Sequence, residues 1–208
     1  VPRPLEEELR RDIICPNCGL EHAVFGLATW CPDCGKDIFM CHVKTEFGVI
    51  QKVLSVVDKR REELGARVAG RDIENGLEDV VSVFEAVLKI ITIKHLANNG
   101  MSHDEISKRL EKIRNSYQNI NSAGETFHAQ TGLDLFHNTS QDEVETLRTI
   151  FEKRHPLTHN LGVVDKKYLE RVRTGDTEGR EIRVTAQEVE IAIGISKKII
   201  SSVYNLCT

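Results

Sequence analysis

The stretch Leu77-Glu-Asp-Val-Val-Ser-Val-Phe-Glu-Ala-Val-Leu-Lys-Ile-Ile-Thr-Ile-Lys-His-Leu96 decides the fold. Val80, Phe84, Val87, Leu88 and Ile91 place apolar side chains almost all round a helix, and such a helix is buried on most of its sides. Other elements must cover it, and the flanking segments carry the right pattern. Ile50, Val53, Leu54 and Val57 form one apolar stripe, followed by the charged run Asp58 to Glu63. Ile106, Leu110, Ile113, Tyr117 and Ile120 keep helical spacing behind a start signal at Ser102. Val144, Leu147, Ile150 and Phe151 mark another helix, opened by Ser140 with Glu143 in capping-box register. Val189, Ala192, Ile195, Ile199, Val203 and Leu206 mark the last. Ala123 to Thr139 and Thr174 to Thr185 read as polar connections. The expected fold is all-α, an antiparallel helical bundle over residues 43–208, behind a small β-type knob in residues 1–42.

At 208 residues the chain can build one good-sized core and a small appendage. Its formal net charge of -4 offers nucleic acid no global attraction, so any such binding has to come from local basic clusters. No apolar run approaches the about 20 residues of a membrane span, since Lys89 interrupts the most apolar stretch, Val87 to Ile93. With no signal-peptide pattern, the expected setting is cytoplasmic and away from membranes. The chain opens on Val1 rather than methionine, and a fragment of a longer protein is the expectation.

The knob rests on cysteines. Cys15-x2-Cys18 and Cys31-x2-Cys34 stand twelve residues apart, and each pair sits in Cys-Pro-x-Cys-Gly. Four thiolates satisfy a tetrahedral zinc ion, and the two-residue gap lets one tight turn present both sulfurs, with glycine permitting a positive φ. The doubled signature resembles zinc ribbons and implies one structural zinc per chain. A rubredoxin-like iron site uses similar knuckles, typically more widely separated. Cys41 and His42 are spare ligands at most, Cys207 reads as a packed thiol, and Arg10, Arg11 and Lys36 are too few to form a nucleic-acid surface.

The candidate chemistry lies in Arg154-His155-Pro156-Leu157-Thr158-His159. Histidine moves protons near neutral pH, and arginine keeps its charge. On an uninterrupted helix Arg154 and His159 would stand about 140° apart. Pro156 removes a backbone donor and is expected to bend or end the helix here, turning both side chains towards one cleft. Two other readings apply to the same residues. His155 and His159 have the His-x3-His spacing of a zinc-gripping helix, though without the acidic residue of that motif. Arg154 and His159 could also simply complement a helix C-terminus.

Arg154 and His159 match the Arg-x4-His signature of HEPN-domain ribonucleases, with a polar residue after the arginine. The preceding helix, the run on to Asp165, the following Lys-Lys-Tyr-Leu and a final amphipathic helix also resemble that superfamily across about residues 45–208. The resemblance implies a dimerising helical bundle whose paired motifs form a composite cleft. It implies cleavage of RNA without a catalytic metal, leaving 2′,3′-cyclic phosphate and 5′-hydroxyl ends, in phage defence or toxin–antitoxin conflict, where a regulatory or antitoxin protein would be a partner. His159 would then serve as general base or acid. Arg154 would stabilise charge on the scissile phosphate. His155 would hydrogen-bond the phosphate or orient its neighbours, with Thr158 and Asn160 as polar helpers. Lys166, Lys167, Arg171 and Arg173 would hold the RNA backbone or form an ordinary solvated face. Glu85, Asp79 and Glu152 are candidate acidic helpers that nothing sets apart from other helix charges. The alternative from a different class is a non-catalytic dimerisation module whose ribbon recruits a nucleic acid or protein.

Overall fold

A computed structural model describes residues 11–24, 26–172 and 174–207; the N-terminal extension with Arg10, and Arg173, lie outside them. The chain is mainly helical, with a small antiparallel sheet near its N-terminus. It divides into two compact units, Val1–Val49 and Ile50–Thr208. The division falls within a helix, α1 (Phe39–Ser55), which also runs unbroken through the 42/43 boundary expected from composition.

In the first unit, strands β1 (Arg11–Ile14) and β2 (Glu21–Val24) pair antiparallel, Arg11 opposite Val24 and Ile14 opposite Glu21. Its core is slight: Ile13, Cys15, Cys31 and Ile38 are buried, with Leu20, Val24, Ala28 and Cys34 against them. An apolar cluster of that size does not support a fold without a staple. The Asp37 carboxylate accepts the Phe39 amide at 3.0 Å and so starts α1. His42, one turn in, is fully buried. Its Nδ1 accepts the Ala28 amide at 2.8 Å, which leaves the ring proton on Nε2, 3.1 Å from Glu46 Oε1. Glu46 in turn meets Arg11 Nε at 2.9 Å. His42 is thus a hydrogen-bonded part of the core and not a spare metal ligand.

The second unit is built round α3 (Ala66–Asn98), 33 residues long. Leu77, Val80, Phe84, Val87, Leu88 and Ile91 are all 0% exposed, as the near-continuous apolar surface requires. A short helix α2 (Val57–Leu64) doubles back through Gly65, at φ 91°, and Arg60 and Asp72 pair at 2.8 Å across the reversal. Helix α4 (His103–Ile113) opens with a capping box at Ser102 and Glu105. Beyond it come a 3-10 turn (Ser116–Gln118), α5 (Ile120–Thr131), α6 (Gln141–Glu152), the short α7 (Arg154–His159) and α8 (Lys166–Arg171), and α9 (Ala186–Cys207). Helix α9 lies along both α3 and α6, and Phe84 and Phe151 meet edge to face at 5.5 Å between α3 and α6.

Two expectations need correction. The apolar spacing from Ile106 to Ile120 is not one helix. It breaks after Ile113 at Arg114, whose φ of 45° suits glycine better than arginine and costs on the order of 1–3 kcal/mol. The break lets Tyr117 turn inward, where its hydroxyl meets Thr92 at 2.7 Å. The segment Ala123 to Thr139 is not wholly a polar connection either. Asn119 caps α5 there by accepting the Ser122 amide at 3.1 Å, and Ala123 and Phe127 bury its inner face. Cys207 is buried, and burial pushes its thiol up to about 11. No helix among the described residues is long and apolar enough to cross a membrane.

Burial holds the His42 imidazole below its ordinary pKa, against the pull of Glu46. The unfolded chain therefore takes up a proton below about pH 6.5 that the folded unit refuses. Stability from this group is complete above that pH and is lost as pH falls towards the depressed folded value. Imidazole 15N shifts should show His42 protonated on Nε2 at pH 7, titrating below about 6.5; a midpoint above that value would contradict the assignment.

Candidate metal centre and candidate active site

The two Cys-Pro-x-Cys-Gly turns fold alike. Cys15 N–H bonds the Leu20 carbonyl at 2.9 Å while Gly19 N–H returns to the Cys15 carbonyl at 3.0 Å; Cys31, Lys36 and Gly35 repeat the pattern at 2.8 and 3.0 Å. Gly19 and Gly35 take φ of 78° and 67°, so glycine after each second cysteine is a conformational requirement. The turns face each other and bring all four sulfurs within 4.8 Å of one another, with Cys15–Cys34 at 3.7 Å and Cys18–Cys31 at 3.6 Å. Sulfurs about 2.3 Å from a tetrahedral ion stand about 3.8 Å apart, so Cys15, Cys18, Cys31 and Cys34 can hold a metal ion. The Asn17 amide also points at Cys15 Sγ, 3.4 Å away, where it would stabilise a thiolate.

The second site begins at Pro156. A proline ring collides with the carbonyl four residues before it and offers no amide in return. That carbonyl belongs to Glu152, and α6 ends there. After Lys153 a new helix, α7, carries Pro156 in its first turn, where no intrahelical donor is needed. The break thus precedes Arg154 and does not fall between Arg154 and His159, as the sequence suggested. Arg154, His155 and His159 nevertheless line one pocket of about 170 Å³ with Asn115, Gln118, Asn119, Phe151, Glu152 and Arg171. The His155 and His159 rings lie 5.1 Å apart, one helical turn from each other.

Side chains from three other elements fix the pocket. Arg154 Nη1 donates to Gln118 Oε1 at 2.9 Å; Gln118 Nε2 donates to Glu85 Oε2 at 2.6 Å, and Lys89 holds the other Glu85 oxygen at 2.7 Å. The Arg154 Nε–H is buried and has no hydrogen-bond acceptor among the described residues. Glu152, only 6% exposed, accepts from Asn119 Nδ2 and from Arg171 Nη1, the latter at 3.2 Å. Arg148 clasps the Arg171 carbonyl and anchors the end of α8. Two guanidiniums therefore face a single, already engaged carboxylate, and the pocket favours an anion. His155 Nε2 lies 3.6 Å from Asp165 Oδ2. Burial lowers the His155 pKa, Asp165 opposes the shift, and Lys167, Arg171 and His159 reinforce it. His159 is exposed at the rim.

Of the other expected site residues, Arg171 and Glu152 line the pocket. Thr158 turns to α3, where its hydroxyl donates to Glu78 at 2.8 Å, and Asn160 donates to the Val163 carbonyl at 2.7 Å to close the turn after α7. Lys166 and Lys167 are exposed on α8 and do not line it. Glu85 and Glu152 belong to the site's hydrogen-bond network. Asn115, Gln118 and Asn119 are lining residues that sequence reasoning missed, and the polar run Asn115-Ser-Tyr-Gln-Asn119 was the only available signal. No family model matches the chain, and neither a curated protein nor a solved structure matches it significantly.

Elemental analysis of the purified protein should find about one metal ion per chain. Replacing Cys31 and Cys34 with serine should release it and unfold the first unit, with the helical dichroism of the second largely kept. An ordered ribbon in metal-free protein would contradict this.

Proposed function

We propose that the chain is a HEPN-type endoribonuclease that cleaves RNA without a catalytic metal and carries one structural zinc ion in its first unit. The observation that carries the reading is the meeting of Arg154, His155, His159 and Arg171 in one anion-favouring pocket. The resemblance of Arg154 to Asp165 to the HEPN ribonuclease motif supports it independently. The same resemblance suggests a helical bundle that pairs into a homodimer, acting in the cytoplasm in phage defence or toxin–antitoxin conflict. Four cysteine thiolates at tetrahedral spacing suit zinc.

RNA supplies its own nucleophile. His159, exposed at the rim, takes the proton from the 2′-hydroxyl as that oxygen attacks phosphorus. The bond to the 5′-oxygen breaks, and that oxygen receives the proton from the His159 imidazolium formed in the attack, which leaves a 2′,3′-cyclic phosphate and a 5′-hydroxyl and returns His159 to its neutral form. Arg154 and Arg171 face the charge that grows on the phosphoryl oxygens. The fastening of Arg154 to Gln118 favours a second reading, a non-catalytic module in which the arginine only braces the fold.

His159→Ala should lower the cleavage of single-stranded RNA by about 10²- to 10⁴-fold with little change in thermal stability. Arg154→Lys should also be severe, because an ammonium loses the planar fork. Thr158→Val and Asn160→Ala should cut nearly as well as wild type, since both face away from the pocket. DNA, which lacks the 2′-hydroxyl, should survive. RNA left intact by the wild-type protein, or cut equally by both active-site variants, would defeat the reading. Loss of folding in Arg154→Lys with no cleavage by wild type would favour the bracing role.

Light scattering should report twice the chain mass, as an isologous pair requires. A monomer with or without RNA would remove the composite cleft from the proposal.

A further inference from the structure

A second basic surface adjoins the pocket. Lys108, Lys112 and Arg114 line a broad hollow of about 680 Å³ together with Glu111. All four are exposed, and none of the three cations is in an ion pair among the described residues, even with Glu111 beside them. Elsewhere the cations of this acidic chain are commonly matched: Arg60 with Asp72, Lys89 with Glu85, Lys153 with Glu188, Arg171 with Glu152 and Lys198 with Glu143. Lys108, Lys112 and Arg114 differ in being gathered in one concavity, where three cations outside any ion pair face a single carboxylate and leave a net positive charge.

The hollow and the pocket meet at one peptide bond. Arg114 lines the first and Asn115 the second, so their Cα atoms are about 3.8 Å apart. Lys108 and Lys112 continue away from that corner along one face of α4, one helical turn or about 6 Å apart. Arg114 is also one of two non-glycine residues among those described with positive φ. This outlier sets the direction in which the chain leaves α4, between the hollow that Arg114 lines and the pocket that Asn115 lines.

We propose that Lys108, Lys112 and Arg114 seat the backbone phosphates of a single-stranded RNA whose scissile phosphate lies in the Arg154/His159 pocket. This rests on the ribonuclease reading above and extends it from a cleavage point to a track. The occupant follows from charge: a line of unmatched cations leading to an anion pocket fits a polyanion strand. A single strand is favoured because in-line attack by the 2′-oxygen needs a backbone free to rotate. The surface acts by attraction and carries no base recognition, so it strengthens binding of long RNAs whatever their sequence.

The test measures fluorescence anisotropy of a labelled 20-nucleotide single-stranded RNA and a tetranucleotide, in His159→Ala protein that cannot cut them. Adding Lys108→Ala, Lys112→Ala and Arg114→Gly together should weaken binding of the long RNA at least about tenfold. The slope of log affinity against log salt should flatten by about 2, near 0.7 for each lost phosphate contact. The tetranucleotide should bind unchanged. Arg114→Gly alone should weaken long-RNA binding while raising the melting temperature, because glycine relieves the strained φ. Unchanged affinity for the long RNA overturns the proposal. So does a lower melting temperature with unchanged affinity, which would make these cations mere partners of the α4 terminus. Equal binding of duplex DNA, or no RNA binding at all, also overturns it. If wild type cuts no RNA but the triple variant still loses binding, the surface stands and the ribonuclease reading alone falls.

Discussion

A helix that is apolar on most of its sides has to be covered on most of them, and that constraint on α3 organises the second unit. Asp79, Ser82 and Ala86 leave one stripe of its middle exposed, while α2, α4, the 3-10 turn with α5, and α9 pack against the rest. Burial of side chains such as Phe84, Leu88 and Ile91 removes several kcal/mol of apolar surface from water, about 1.5–3 kcal/mol for each. The polar groups that this helix turns inward become correspondingly specific. Thr92, fully buried, is satisfied by the Leu88 carbonyl and the Tyr117 hydroxyl. Glu85, one of its few charges turned towards the 3-10 turn, anchors the amide that positions Arg154. The candidate site is thus supported through side chains that start on the central helix.

Pro156 acts locally within that frame. By ending α6 at Glu152 it leaves that carboxylate at a helix terminus, buried, where a continuing helix would have pointed the following residues elsewhere. Asn119 and Arg171 then close on Glu152 from α5 and α8. Arginine, histidine and carboxylate come from one short stretch of chain, but four elements contribute to the pocket. A buried carboxylate bound to one guanidinium lowers the positive field without cancelling it.

What could be read from the sequence was whatever repeats at short range. The apolar periodicity of Leu77 to Leu96 exposed the central helix, Ser102 and Ser140 announced their caps, and the two Cys-x2-Cys pairs gave the sulfur cluster. The break at Arg114 could not be read, because the apolar spacing runs through it and arginine is not a residue that marks a positive φ. Helix α5 was hidden by its small and polar residues, and burial of Ile120, Ala123 and Phe127 supports it. Within the site, Arg154, His155 and His159 were legible as a motif. Glu152 was one acid among many until Asn119, 33 positions away, was seen to donate to it. Gln118 and Asn115 carry no signal beyond the polarity of their run, since their contribution depends on a turn whose position the pattern concealed.

Asn119 has a further significance. Its side-chain oxygen accepts the Ser122 amide at the start of α5, and its side-chain nitrogen donates to Glu152 in the pocket. A flipped amide would put nitrogen against a donor at one end and oxygen against a carboxylate at the other, so the side chain has a single serviceable orientation. The first turn of α5 and the wall of the pocket are therefore joined through one side chain, and loss of that amide would loosen both together.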